Sequence, residues 1–195
     1  MLDADGRCVI PGFVDPHTHI PWAGDRAGEF EQRLAGATYM EIMAAGGGIM
    51  STVRQVRQAT LAELVAANLP RLDAMLRYGT TSMEAKTGYG LSVEAEMKQL
   101  DAILALDRAH AIDITPTFLP AHAVPVEYHG RTDEYVDLII NEMLPAGAEW
   151  MARNGRALFC DVFCEEGVFD LDQTRRILAR AAELGFGLKV HADEF

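Results

Sequence analysis

"GFVDPHTHI" (residues 12–20) closes an apolar run that begins at Val9 and sets two histidines, His17 and His19, one residue apart. In extended backbone the side chains at i and i+2 leave the same face, so both imidazoles can point at one spot just past the end of a strand. Neutral imidazole nitrogen is a good ligand for zinc and similar ions, and a catalytic site uses about three protein ligands with one position left open. The chain holds only six histidines. One of them, His191, ends the strand-like run GLKVH (187–191) and could supply a third ligand, with a satisfied core histidine as the alternative.

Between these two runs, hydrophobic period and punctuation alternate between helix and strand. Thr60 with Glu63 forms a capping box, and Leu61, Leu64, Val65, Leu72, Met75 and Leu76 keep helical spacing up to a stop at Gly79. Pro70 predicts a kink or a break in that helix. Residues 80–86 read as a strand ending in the glycine-bracketed TGYG (87–90). Ser92 caps the next helix, with Met97, Leu100, Ile103 and Leu104 facing inward. A strand over 112–119 closes on PAHAVP, and a helix over 133–153 is expected to be interrupted by Pro145 and Gly147. A strand over 157–163 follows, and Asp170 with Gln173 opens a last helix that ends at Gly185. The GGG at 46–48 has no strand before it, which predicts a loop rather than a phosphate cradle.

Five strands separated by crossover helices predict a parallel α/β fold, either a (β/α) barrel or a doubly wound sheet. The polar residues decide between them. His17 and His19, Lys86 and Tyr89, His122, Glu165 and Glu166, and His191 with Glu194 all fall at or just beyond the C-terminal ends of successive strands, which is the catalytic rim of a barrel. A complete barrel needs about 250 residues. The expectation is therefore one domain, residues 1–195, forming a partial (β/α)8 TIM barrel of about five βα units, incomplete at its C-terminal side and with exposed strand edges.

The composition, 49% hydrophobic and 24% charged, is that of a globular protein. A formal charge of -12 with no basic run argues against nucleic acid and anionic membranes as partners. No stretch approaches membrane-spanning length and the opening residues lack a signal-peptide pattern, so a cytoplasmic location is expected. Cys8, Cys160 and Cys164 cannot all pair, and the latter two lie in the apolar run LFCDVFC, where buried reduced thiols are expected. With no lysine in the fourth strand-like run, ALFCDVFCEEG, one metal ion is a simpler expectation than a lysine-bridged pair.

PGFVDPHTH resembles the first-strand metal motif of the amidohydrolase superfamily. Together with HTHIPWAGDR, GGGIMSTV, YGTTSMEAKTGYGL, FLPAHAVP and GFGLKVHADEF, it is similar within that superfamily to the imidazolonepropionase family, from about Val9 to Phe195. The resemblance implies a hydrolase of cyclic amides acting in histidine degradation, which opens 4-imidazolone-5-propionate to N-formimino-L-glutamate with one zinc or iron ion. It implies His17, His19 and His191 as metal ligands, Arg26, Tyr39, Tyr89 and His122 as substrate contacts, and Glu194 as the acid/base group, with His122 also catalytic. It further implies a histidine after strand six, a ligating aspartate after strand eight and a small β-sandwich. None of these lies in the present sequence, so weak metal binding and no useful turnover are expected of this chain by itself.

Each role also has a physical reading. Arg26 presents a planar fork to a carboxylate, which would draw a small anion to an acidic protein. His122 could donate to the ring carbonyl, Tyr89 could hydrogen-bond the substrate, and Glu194 could carry a proton from water to the departing nitrogen. Lys86, Glu165 and Glu166 have no assigned role beyond internal ion pairing. A homodimer is a candidate assembly. Two alternatives stand beside this reading: a deaminase or hydrolase of another nitrogen-containing ring, and a metal-free, non-catalytic α/β module whose edges a partner covers.

Overall fold

A computed structural model describes residues 3–38, 41–42 and 45–194. Five strands, β1 (Phe13–Asp15), β2 (Thr80–Lys86), β3 (Asp113–Ala121), β4 (Phe159–Val162) and β5 (Gly187–Leu188), form one parallel sheet in the order β1-β2-β3-β4-β5. Each strand lies beside its successor and the order never reverses. A doubly wound sheet has a switch point where it does; this sheet is the sequential arc of a barrel, and the α/β partial-barrel expectation holds.

The helices are α1 (Ala27–Leu34), α2 (Ile49–Gln58), α3 (Leu61–Arg77), α4 (Val93–Ala109), α5 (Thr132–Leu138), α6 (Leu144–Asn154) and α7 (Leu171–Glu183). No helix among the described residues is long and apolar enough to cross a membrane. Leu72 from α3, Leu100, Ile103 and Leu106 from α4, Trp150 from α6 and Ile177 from α7 pack with Met83, Ile114, Phe118, Cys160 and Val162 of the strands, all buried. Each large side chain so buried contributes about 1.5–3 kcal/mol. Trp150 keeps its indole N–H satisfied by donating to Asp101 Oδ1 at 2.8 Å.

Neither expected interruption breaks its helix. Helix α3 runs unbroken through Pro70. Its start is locked by the Thr60–Glu63 capping box, and Leu64, Asn68 and Leu72 are buried around the proline, so packing outweighs the one backbone hydrogen bond the ring removes. The segment 133–153 is also helical throughout, as α5, a π-turn at Ile139–Met143, and α6. The π-turn runs directly into Pro145, which has no N–H to bond back along the helix, so the expected interruption takes the form of a local widening rather than a break. Gly147 leaves room for aromatic rings instead: a Cβ there would lie 3.0 Å from Phe186 Cζ and 3.3 Å from Phe118 Cδ1.

The last run pairs further than β5 itself. Lys189 N–H donates to the Cys160 carbonyl, His191 N–H to Val162, and Cys164 N–H to the His191 carbonyl. At the two edges, Val9, Ile10, Phe13 and Val14 beside β1, and Leu188 and Val190 beside β5, are exposed, as a barrel arc with open sides requires.

Candidate metal and substrate site

His17 and His19 follow β1 in a loop fastened to β2, because the Thr18 hydroxyl donates to the Glu84 carbonyl at 2.5 Å and Lys86 N–H donates to the Thr18 carbonyl at 2.9 Å. His191 is carried in by the bridge to Phe163. The three imidazoles meet: Nε2 of His19 lies 3.2 Å from Nε2 of His17 and 3.4 Å from Nε2 of His191. For bonds of about 2.0–2.1 Å to a tetrahedral zinc, the edge between two nitrogens is about 3.3–3.4 Å. The set His17, His19 and His191 therefore fits a metal ion. Burial, with the charges of His122, His191, His17 and Lys86, pushes His19 down to about 2. Burial also lowers His17. Both are therefore neutral at pH 7, as metal ligation requires. The Nδ1 of His191 lies 2.7 Å from Asp161 Oδ2 but off the line of a good hydrogen bond, so the contact is chiefly electrostatic.

Beneath the imidazoles is a layer of buried charge. Lys86 Nζ sits 2.7 Å from Asp161 Oδ2 and 3.0 Å from Glu84 Oε2, and Lys189 Nζ and the Thr117 hydroxyl each reach Glu84 Oε1 at 2.5 Å. Two ammonium groups balance two carboxylates, which is what makes their burial tolerable. Lys86 thus serves internal ion pairing, and its partners Glu84, Asp161 and Lys189 escaped the sequence reading. The signal available was their alternation within apolar strands: TSMEAK places Glu84 and Lys86 on one face, and FCDV places Asp161 between apolar neighbours.

Above them lies the cavity side. The ring of His122 stacks on His19 at 4.7 Å, and Tyr89 approaches His19 and His122 at 5.9 and 5.3 Å. A cavity of about 370 Å³ is lined by His19, Trp22, Asp25, Arg26, Thr52 and Tyr89. Among the described residues Arg26 spends its Nε on Glu29, at 2.7 Å, and its outer guanidinium nitrogens have the fork geometry that suits a carboxylate. A larger cleft of about 830 Å³ beside the β4–α7 loop contains Glu165 and Glu166 but none of the histidines, so size alone does not mark the chemistry here.

His122 has its proton placed by a neighbour. Its Nδ1 is 3.0 Å from the Gly88 carbonyl, which can only accept, so Nδ1 carries the proton. Burial pushes the ring down to about 4. The neutral ring then offers a lone pair at Nε2, an acceptor rather than the donor to a ring carbonyl expected from sequence. Glu194 is exposed, three residues past His191, with its backbone N–H donating to Glu165 Oε2 at 3.0 Å. Tyr39 lies outside the described residues. Cys160 is buried, with its thiol pushed up by burial, whereas Cys164 is half-buried and Cys8 exposed.

Strand order and converging imidazoles define the class: a parallel α/β protein of barrel-type strand order with a candidate three-histidine metal site. No family model matches the chain. It is 58% identical to an imidazolonepropionase of Chloroflexus aggregans, 59% to one of Symbiobacterium thermophilum and 54% to one of Herpetosiphon aurantiacus, in each case over 100% of the chain and over 47%, 45% and 46% of the relative. The chain is thus related to the imidazolonepropionases along its whole length, and it spans about half the length of the curated relatives it matches. Among solved structures, N-isopropylammelide isopropylaminohydrolase from Burkholderia multivorans matches 92% of the chain and 48% of its own, at 17% identity and a TM-score of 0.40.

Proposed function

We propose that the whole protein hydrolyses the cyclic amide of 4-imidazolone-5-propionate to N-formimino-L-glutamate, with this chain supplying three metal ligands and the substrate-facing wall. The observation that carries the reading is the meeting of His17, His19 and His191, from the two ends of the sheet, beside a cavity that holds Arg26. The imidazolonepropionase relatives narrow the substrate.

His17, His19 and His191 would hold one zinc or iron ion. Bound there, it would supply Lewis acidity toward a carbonyl and make water more acidic. The remaining work falls to the chain's own groups. Arg26 grips the propionate with its outer guanidinium edge. Nε2 of His122 accepts a hydrogen bond from a ring N–H, and Tyr89 closes the cavity with its hydroxyl, which burial keeps protonated. Glu194 takes a proton from water and returns it to the departing nitrogen. The partner is a small anion; the formal charge of -12 disfavours nucleic acid. Three cysteines with no disulfide fit a reducing compartment, and we place the protein in the cytoplasm.

The test has two arms. Metal analysis of the purified chain should find zinc or iron, lost in His17→Ala and His19→Ala. The whole protein should open imidazolone propionate in preference to cyclic amidines and purine-type rings. Metal content unchanged by both substitutions would overturn the ligand assignment, and turnover of another ring alone would move the protein to a neighbouring activity.

A further inference from the structure

The residue Gln99, on α4, does not touch the cavity, yet it stands between both loops that form it. It is fully buried. Its Nε2 donates to the Pro21 carbonyl at 2.9 Å, two residues after His19, and its Oε1 accepts the Tyr89 N–H at 3.0 Å. Both partners are single-purpose, one an acceptor and the other a donor, so the orientation of the amide is settled by them.

The N–H of Tyr89 belongs to the same peptide group as the carbonyl of Gly88. That carbonyl accepts from Nδ1 of His122 at 3.0 Å. One peptide plane is therefore held at both ends, by Gln99 on its N–H side and by His122 on its carbonyl side. Turning the plane over would point the Gly88 carbonyl at Oε1 of Gln99, an acceptor facing an acceptor, and the Tyr89 N–H at Nδ1 of His122, which could accept it only in the other tautomer; the unmet carbonyl costs about 1–3 kcal/mol. Gly88 has a φ of +106°, a region that glycine enters freely, so the local backbone does not select this orientation by itself.

We propose that Gln99 is a positioning residue that fixes the tautomer of His122. By holding the Gly88–Tyr89 peptide it keeps a proton acceptor in front of Nδ1, and so directs the unprotonated Nε2 of His122 away from that carbonyl. The same amide ties the loop after β1, which bears His17 and His19, to the loop after β2, which bears Tyr89. The tautomer assignment stands on geometry alone; its value for binding a ring N–H rests on the hydrolase reading.

The test is imidazole nitrogen NMR on protein labelled with ¹⁵N-histidine and loaded with zinc. Wild type should show His122 protonated at Nδ1 and bare at Nε2. Gln99→Met, which keeps the length and apolar stem but neither hydrogen bond, should lose that single tautomer and give a mixture. Gln99→Glu, which in this buried site can be held as the neutral acid with its O–H donating to the Pro21 carbonyl and its other oxygen accepting from Tyr89 N–H, should restore it. In the whole protein, Gln99→Met should raise KM about tenfold, the loss of about one hydrogen bond, with kcat less affected. An Nε2-protonated His122 in wild type overturns the proposal without any variant. A single Nδ1-protonated tautomer retained in Gln99→Met overturns it as well. A tautomer that shifts as expected while imidazolone propionate is not turned over would leave Gln99 in its role and discard the substrate assignment instead.

Discussion

Nδ1 of His191 lies 2.7 Å from Oδ2 of Asp161 on the adjoining strand, and the same oxygen is 2.7 Å from Lys86 Nζ. One buried carboxylate oxygen thus backs an imidazole whose far nitrogen points at His19. A carboxylate behind a ligating histidine orients the ring and raises its basicity, and removing such a partner costs about 10–100-fold in metal affinity. Asp161→Ala should therefore weaken zinc binding by about that factor. Competition against a chelating dye measures it; an unchanged affinity would show that His191 is held by packing alone.

The same carboxylate should leave a mark on acid stability. Burial pushes Asp161 up, but the close contacts and charges of His191 and Lys86 outweigh it and hold the group down at about 2, below the ordinary value of 3.8. A carboxyl with a depressed folded-state pKa stabilises fully above its unfolded value and loses that contribution as pH falls through the folded one. The window here is from about pH 4 to about pH 2, and the amount about 2 kcal/mol. Urea unfolding at pH 5 and pH 3 should show a shallower fall for Asp161→Asn than for wild type, starting from a lower plateau because Lys86 keeps only Glu84.

The TGYG loop should depend on Glu96. This carboxylate, fully buried on α4, accepts from the N–H groups of Gly88, Gly90 and Leu91 at 3.1, 2.8 and 2.8 Å. Glu96→Gln places an amide NH2 among donors and should cost about 1.5–3 kcal/mol. Gly90→Ala should dislodge the loop more directly, since its Cβ would lie 2.5 Å from the backbone nitrogen of Glu96. Hydrogen exchange at residues 88–91 should accelerate in both, and protection equal to wild type would refute the assignment.

Arg26 should matter through its shape as well as its charge. Arg26→Lys keeps the cation but loses the fork and the contact with Glu29, so the whole protein should show KM raised about tenfold with kcat nearly unchanged. Equal KM in the two proteins would mean that the propionate is held elsewhere.

The cap of α3 offers a control remote from the chemistry. Thr60 accepts from Glu63 N–H at 3.2 Å while Glu63 Oε2 accepts from Thr60 N–H at 2.8 Å. Thr60→Ala should lower stability by about 1 kcal/mol. The melting temperature should drop by about 2–4 °C. Zinc stoichiometry should stay the same.

Local signals were legible wherever a short stretch contains its own cause. The capping boxes at Thr60 and Asp170 join residues three apart, and both formed as expected. Pro70 does not end its helix because its local cost is small beside the buried stripe on α3; the segment around Pro145 departs from α geometry in a π-turn without breaking, and Gly147 gives room to two phenylalanine rings. The buried charges were hard to see for a related reason. Glu84, Asp161 and Lys189 are separated by scores of residues, and a charged side chain in a short strand looks the same whether it faces water or an opposite charge.

By itself the sequence determined the alternation of strand and helix, the parallel α/β class and the pairing of His17 with His19 on one face, because hydrophobic period and i, i+2 geometry act over a few residues. Only the tertiary structure decided that His191 reaches His19 across 172 positions of chain, that Asp161 and Lys86 lie beneath it, and that Nδ1 of His122 faces the Gly88 carbonyl. Those facts depend on which atoms stand within about 3 Å of one another once the strands have closed side by side. A proton on one nitrogen or the other of His122 is chosen by a carbonyl 34 residues away, and only the folded chain brings the two together.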